Sequence, residues 1–340
     1  MIRFLIRRIL LGIFVLFGVS LITFLIARVI PSEPAARWIG PRATAEQIAA
    51  AKVELGLNQP LFMQYINYIK GLFTGDWGVS ITSHQPVLKE LLIFLPSSLE
   101  IILGGMLIAL IVGIPLGVLT AVYKETWIDH LSRGISIGGV SIPAFWLAMI
   151  LQLIFYQYLG WFPLGERVST ETALLYPIET ITGSNLIDSA VQGNWVYFSD
   201  ALNHSILPML TMAAFPLGVV TRMTRSSMLE VVGEEYMRVT KAFGFSSGVR
   251  TFKYALKNAM GPTITSLGLT FAYALTTTFL IESVFTWPGL GLYTSNAILS
   301  SDYPVIMGVT IFVTAAYLIV NLLVDITLAI LDPRIKVNVE

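Results

Sequence analysis

The residues of this chain that could do chemistry are few and poorly spaced for it. The three histidines, His84, His130 and His204, lie far apart and make no metal-ligand spacing. Cysteine is absent, which removes disulfide frameworks, thiolate zinc sites and cysteine nucleophiles together. There is no H-E-x-x-H pattern and no G-x-x-x-x-G-K-[ST] phosphate cradle, so neither zincin chemistry nor P-loop nucleotide binding is expected of the chain itself. Gly18-Val19-Ser20-Leu21 and Gly139-Val140-Ser141-Ile142 have the outline of a hydrolase G-x-S-x turn. Only His204 falls near an apolar run, however, and glycine–serine pairs are ordinary helix-packing residues. Glu100, Gln152, Glu282, Asn321 and Asp325 lie within or beside apolar runs. An acid inside a membrane marks a functional site by default. Glu100, Glu282 and Asp325 nevertheless sit within a few turns of a run's end, where snorkelling, capping and pairing account for them. A proton-coupled carrier needs acids nearer the midplane, and no inverted repeat is visible.

The elements that must hold these residues are membrane helices. Of 340 residues, 55% are hydrophobic and 12% charged, against roughly 25% charged in soluble domains. Mean hydropathy is +0.75. Twenty-one Lys and Arg balance twenty-one Asp and Glu, which argues against nucleic acid as a partner. Six apolar runs are long enough to cross a bilayer: 9–30, 99–122, 135–159, 202–221, 263–285 and 303–331. The fourth is the weakest, and Pro143 in the third with Pro208 and Pro216 in the fourth are expected to break their helices. The first exceeds the 7–15 residues of a signal-peptide core and lacks a clean cleavage site after Ile30, so it reads as a retained helix.

Orientation follows from the cations. Fourteen Lys and Arg fall on one side, namely the N-terminus, the 123–134 turn, the 222–262 segment and the tail, six fall on the other, and Arg28 near the outer end of the first run can snorkel. Both termini and the 222–262 segment are therefore expected in the cytoplasm. Trp161, Phe162, Trp287 and Tyr293 at outer helix ends, with Tyr123 and Trp127 at an inner end, form interfacial belts.

Between the spans, Thr44 and Gln47 make a capping-box pattern, opening a helix that Gly56 and Pro60 close. Phe62, Tyr65, Ile66, Ile69, Leu72 and Phe73 then recur at helical spacing with Lys70 off the stripe, an amphipathic helix for the outer interface or the bundle surface. The outer segment 160–200 is polar and has no catalytic spacing. In the inner segment, Leu229, Val232, Tyr236, Val239 and Phe243 mark one face of a helix. Gly244 ends it, with Ser246, Ser247 and Gly248 as the turn. A second helix from Val249 has Val249, Phe252, Leu256 and Ala259 as its apolar face and Arg250, Lys253 and Lys257 as its basic face. Such a helix–turn–helix can rest on the membrane domain and offer its other surface to a soluble partner.

The run Glu235-Tyr236-Met237-Arg238-Val239-Thr240-Lys241-Ala242-Phe243-Gly244, followed by Tyr254-Ala255-Leu256-Lys257-Asn258-Ala259 and Pro262, resembles the cytoplasmic EAA loop of ABC importer permeases. Glu282 to Gly291, Asp302-Tyr303-Pro304-Val305, Asp332-Pro333-Arg334, Arg7-Arg8, Leu55 to Pro60 and Gly75-Asp76-Trp77-Gly78 narrow the resemblance to the B-type permease of dipeptide/oligopeptide and nickel importers, over nearly the whole chain. Arg238-Val239-Thr240 stand where the family-wide pattern has Glu-Ala-Ala, Lys257 stands where a proline is usual, and Pro31-Ser32-Glu33-Pro34 replaces Pro-Gly-Asp-Pro.

The resemblance implies an all-α polytopic membrane protein with six transmembrane helices in the type I ABC importer fold and an external helical segment between the first two. Its parts would be a first helix at 1–31, an external amphipathic segment at 32–96, the transporter core at 97–331 with a coupling loop at 222–262, and a cytoplasmic tail at 332–340. It implies uptake of dipeptides or oligopeptides, or with the same machinery oligosaccharides, glutathione or nickel chelates. A self-sufficient channel or secondary carrier is the competing class. The implied partners are a homologous second permease, two ABC ATPases that carry the ATP and Mg, an extracytoplasmic solute-binding protein and the lipid bilayer, with no cofactor on this chain. The implied coupling residues are Arg238, Val239, Thr240, Lys241, Ala242, Phe243, Gly244, Phe245, Ser246, Ser247 and Gly248. Glu282, Trp287, Pro288 and Gly289 are implied as an outer gate or a contact for the binding protein.

Overall fold

A computed structural model describes residues 2–29, 34–40 and 42–331. Ile30, the Pro31-Ser32-Glu33 departure and the tail with Asp332-Pro333-Arg334 lie outside the described residues. Apolar runs of this length fold as helix because a bilayer offers the backbone no other partner, and no strand occurs among the described residues, only an isolated bridge between Val79 and Pro86. The helices are α1 (Ile2–Val29), α2 (Pro34–Ile39), α3 (Ala45–Glu54), α4 (Leu61–Thr74), α5 (Val87–Val122), α6 (Trp127–Ser141), α7 (Ala144–Leu151), α8 (Thr170–Leu175), α9 (Asn185–Val191), α10 (Trp195–Gly233), α11 (Glu235–Ala242), α12 (Lys257–Val284), α13 (Leu290–Ser300) and α14 (Tyr303–Leu331). Two π-helical turns, Gln152–Tyr158 and Val249–Leu256, extend α7 and precede α12. Among the described residues five helices are long and apolar enough to cross a membrane, or six with the bent pair counted as one span.

That bent pair carries the break expected at Pro143, and its first arm starts at Trp127, ahead of the expected 135. α6 and α7 with its π turn meet at 110°. Ile142 is extended at φ −80°, ψ 127°, because a residue before proline is driven out of helical geometry. The prolines of the fourth span behave differently from expectation. α10 runs unbroken through Pro208 and Pro216 for 39 residues, about 58 Å. Proline is tolerated in a membrane helix where neighbours satisfy the freed carbonyls. The second span starts at Val87, well before the expected 99, and carries Pro96 within it.

The chain divides into two compact units, Met1–Pro96 with Pro288–Leu318 and Ser97–Trp287 with Ile319–Glu340. In the first, Val87, Leu91, Leu290, Ala297, Val305 and Val309 form one core. Phe24, Ala27, Tyr303 and Met307 form another, with Tyr65 and Tyr68 packed against it. The capping box exists as expected, Thr44 Oγ1 accepting from the Gln47 amide at 3.3 Å and Gln47 Oε1 from the Thr44 amide at 2.9 Å. The amphipathic stripe of α4 is shifted: Tyr65, Tyr68, Ile69 and Leu72 turn inward, while Phe62 and Phe73 are exposed.

In the second unit α5 lies against α10 through small residues. A Cβ on Gly105 would stand 2.8 Å from Met212, and one on Gly117 2.6 Å from Thr224. A Cβ on Gly139 would meet the Ala214 carbonyl at 2.5 Å, so the G-x-S-x run at 139–142 is a packing seam of the kind membrane helices use.

Candidate functional site

The segment after α10 is a helical hairpin. Glu234 takes extended geometry (φ −66°, ψ 150°), which ends α10 and starts α11. The single helix face expected from Leu229 to Phe243 is therefore split. Met237 and Thr240 turn inward, and Tyr236, Val239 and Phe243 are exposed. Gly244 (φ +76°) terminates α11 in a Schellman motif: its amide donates to Lys241 O at 3.0 Å and the Phe245 amide to Thr240 O at 3.3 Å. This left-handed position is the one expected of Gly244. Gly248 instead is helical (φ −60°) and begins the next turn.

The second arm also departs from its expected faces. Val249–Leu256 is π-helical, and its wider turn moves the buried stripe from Val249 and Phe252 to Ala255. Ala255 and Ala259 join Val118, Met228 and Met237 in one core, while Phe252 stays 61% exposed. The arm continues directly into α12, so the hairpin joins two spanning rods rather than hanging from a loop. Arg238, Lys241, Ala242, Ser246 and Ser247 are exposed beside it. The basic face is also partly as expected, with Lys253 and Lys257 exposed and Arg250 half-buried.

Near the hairpin, Asp129 at the start of α6 is fully buried. Its carboxylate accepts a bidentate pair from Arg225 of α10 (2.8 and 2.9 Å) and a third bond from Arg133 (2.7 Å). Sequence reasoning read Arg225 and Arg133 as topology cations only. Asp129 and Arg133 are at i,i+4 spacing, a local signal, but nothing in the sequence announces Arg225 as a partner ninety-six residues distant.

A cavity of about 310 Å³ opens at the α6–α7 bend. Ser141, Thr211, Phe215, Thr270, Tyr273 and Thr277 line it, and no charged side chain does. Along α12, Leu269, Tyr273, Thr276 and Leu280 form an exposed stripe at spacings of three and four. Alternating hydroxyl and apolar groups are unusual against lipid and suit a wet path or a partner helix.

At the far end of α12, Glu282 is fully buried, accepting from Ser98 Oγ at 2.6 Å and Thr278 Oγ1 at 3.0 Å. Trp287 is also fully buried, its Nε1 donating to Ser97 O at 2.9 Å. The Arg167 guanidinium lies 5.6 Å over that indole and donates to Glu100 Oε2 at 2.6 Å. Between Phe285 and Trp287, Thr286 is held at φ +50°, a strained state for a β-branched residue. Of the four residues named for the outer end, Glu282, Trp287, Pro288 and Gly289, the first two are fully buried. Of these four residues Pro288 alone is exposed, and Gly289 is buried at the start of α13. The polar 160–200 segment is built round Asp188, which accepts from the Thr182 hydroxyl (2.6 Å) and the amides of Ile181, Thr182 and Gly183 (3.1, 2.8 and 3.0 Å). Burial pushes the Asp188 carboxyl up, but these bonds outweigh it and hold it below its ordinary 3.8.

Long apolar helices round a hydroxyl-lined cavity, two of them joined by a helical hairpin, define a multi-pass membrane protein of the permease class. The chain belongs to the family of binding-protein-dependent transport system inner membrane components, whose model matches residues 113–337 and whose N-terminal companion matches residues 1–100. It is 43% identical to the "Probable D,D-dipeptide transport system permease protein DdpB" of Escherichia coli K12, over 95% of this chain and 94% of that one. It is 39% identical to the dipeptide transport system permease protein DppB of Alkalihalophilus pseudofirmus, over 99% and 100%. To the glutathione transport system permease protein GsiC of Escherichia coli it is 34% identical, over 99% of each. The chain is thus a permease subunit of an ABC importer with the type I fold.

Proposed function

We propose that this permease passes dipeptides or short oligopeptides, delivered by an external solute-binding protein, through a path completed by a homologous second permease, and that two cytoplasmic ABC ATPases grip its 234–256 hairpin. Both termini and the hairpin face the cytoplasm, where the excess of cations falls. The observation that carries the reading is the hairpin itself, with Tyr236, Val239, Phe243 and Phe252 exposed at the joint between two spanning rods. Exposed apolar side chains with a rim of cations suit a protein interface. Peptide cargo rests on the names of the similar permeases. The uncharged, hydroxyl-lined cavity supports it, because such walls hydrogen-bond a peptide backbone without selecting a side chain. Glu282, Thr286 and Trp287 act as the outer gate, a buried polar hinge under strain.

Cysteine at Val239 or Phe243, in the assembled complex, should cross-link to the ATPase and lose the cross-link when ATP is trapped. ATPase stimulation by loaded binding protein should follow di- and tripeptides and not sugars. Absence of any cross-link from either position would remove the docking assignment, and stimulation by sugars alone would remove the cargo.

A further inference from the structure

The first unit holds a second cavity, of about 450 Å³, that has no part in the transport reading. That volume is within the range of small-molecule sites, about 300–1,000 Å³. Its ionisable lining residues are Arg28 at the end of α1, Glu54 at the end of α3 and Asp76 after α4. Trp38, Trp77, Tyr68 and Tyr303 supply aromatic wall. Three lining residues carry buried polar atoms with no hydrogen-bond partner among the described residues: Arg28 Nε, Gln64 Oε1 and Tyr68 Oη. The Gln64 amide is not free to turn over. Its Nε2 donates to Gln59 O at 2.8 Å and Leu57 O at 3.2 Å, which commits the oxygen to the unpartnered side. Burial, with Tyr65 adding to it, raises the Tyr68 phenol well above its ordinary value, so it keeps its proton and donates.

Such groups ask for a ligand of mixed character. Arg28 and Tyr68 donate and want an anionic oxygen. Gln64 Oε1 wants an ammonium or another donor, and the exposed carboxylates of Glu54 and Asp76, the latter accepting also from the Gly78 amide, line the same cavity and favour a cation there. Among the described lining residues one cation stands against two carboxylates, a balance of −1 that selects against a purely anionic ligand. Arg28 is also the last residue of the apolar run Ile6–Arg28, so the cavity sits where hydrocarbon gives way to water. One turn below it Leu25 is exposed, and Leu61, Phe62, Met63 and Phe73 expose a greasy side of α4 beyond the cavity.

We propose that this cavity binds the headgroup of a zwitterionic phospholipid of the ethanolamine type, phosphate toward Arg28 and Tyr68 and ammonium toward Gln64, Glu54 and Asp76, with an acyl chain along the Leu25 side of α1. The lipid fastens the external helices α3 and α4 to α1 and α14. This assignment does not depend on the transported cargo.

The test is native mass spectrometry of the full-length protein purified from membranes and exchanged into mixtures of phosphatidylethanolamine and phosphatidylglycerol. Wild type should retain one phosphatidylethanolamine in preference to phosphatidylglycerol. Arg28→Gln and Tyr68→Phe should each lower that occupancy about tenfold, the value of a charge-assisted bond. Asp76→Asn should shift the preference toward phosphatidylglycerol. Tyr68→Phe removes a single oxygen and carries the test should Arg28→Gln not fold. Equal retention of the two lipids, unchanged occupancy in Tyr68→Phe, or displacement of the lipid by millimolar dialanine would each overturn the assignment, the last by making a free zwitterion the ligand.

Discussion

At the scale of single residues, two positions bear weight out of proportion to their size. Gly244 closes α11 at φ +76°, where an L side chain costs roughly 1–2 kcal/mol. A Cβ there would meet no neighbour within 4 Å, so the penalty is conformational rather than steric. Gly244→Ala should therefore assemble normally and lower ATPase-coupled transport several-fold, while Gly244→Asn, which tolerates this geometry, should retain most of it. The comparison to make is transport per ATP hydrolysed in vesicles. The second position is Arg167, whose guanidinium is 15% exposed against a Glu100 side chain that is 3% exposed. Removing one member of a buried pair strands the other charge. Arg167→Met should destabilise the protein by about 3 kcal/mol, and Glu100→Gln added to it should restore a large part. Thermal unfolding of the four proteins of that cycle gives the coupling directly. Neither residue's role follows from its type. Gly244 was legible because a glycine ending an apolar periodicity has one usual meaning, whereas the Arg167–Glu100 pair joins positions sixty-seven residues apart and leaves no local trace.

At the scale of elements, what could be read in advance was local chemistry, and what could not was tertiary choice. The Thr44–Gln47 capping box and the break at Pro143 need only neighbouring residues to form. The buried faces of α4, α11 and the Val249–Leu256 arm could not be read so. An extended Glu234 and a π turn each rotate the stripe by a fraction of a turn, and a period of 3.6 residues assumes neither. The prolines of α10 failed as helix stops because membrane context overrides their usual effect. The 160–200 segment was legible only as polar, since its order comes from one buried acid gathering three successive amides. That arrangement has a pH signature. Asp188 titrates below 3.8 when folded, so its stabilising bonds are fully present above that value and are lost as pH falls through the lowered one. Amides 181–183 should exchange slowly at neutral pH, keep their protection at the ordinary 3.8 and lose it only as the pH falls through the lowered value. In Asp188→Asn they should be fast throughout, with a loss of about 1–3 kcal/mol at neutral pH. Protection in Asp188→Asn equal to wild type would mean that the loop is held by something else.

At the scale of the whole molecule, the connectivity of the hairpin decides what it can transmit. α10 enters it as one continuous helix, and the Val249–Val284 rod of 36 residues leaves it without a loop. The same rod carries the Tyr273 and Thr276 stripe, borders the cavity, and ends at buried Glu282. A displacement imposed on Phe252 therefore passes along one continuous rod to the cavity, whereas one imposed on Phe243 must first cross the Gly244 turn. A partner that binds the hairpin differently in two states can bias the path only if this line stays stiff. Inserting two glycines between Leu256 and Lys257 should break it. The expected result in reconstituted vesicles is an ATPase that still assembles and hydrolyses ATP, with peptide accumulation reduced by at least about tenfold. Accumulation undiminished by the insertion would place the mechanical link elsewhere, with α10 as the rod that remains. Accumulation against a gradient by the permease chain alone, without ATPases, would show that transport needs no motion supplied by a partner.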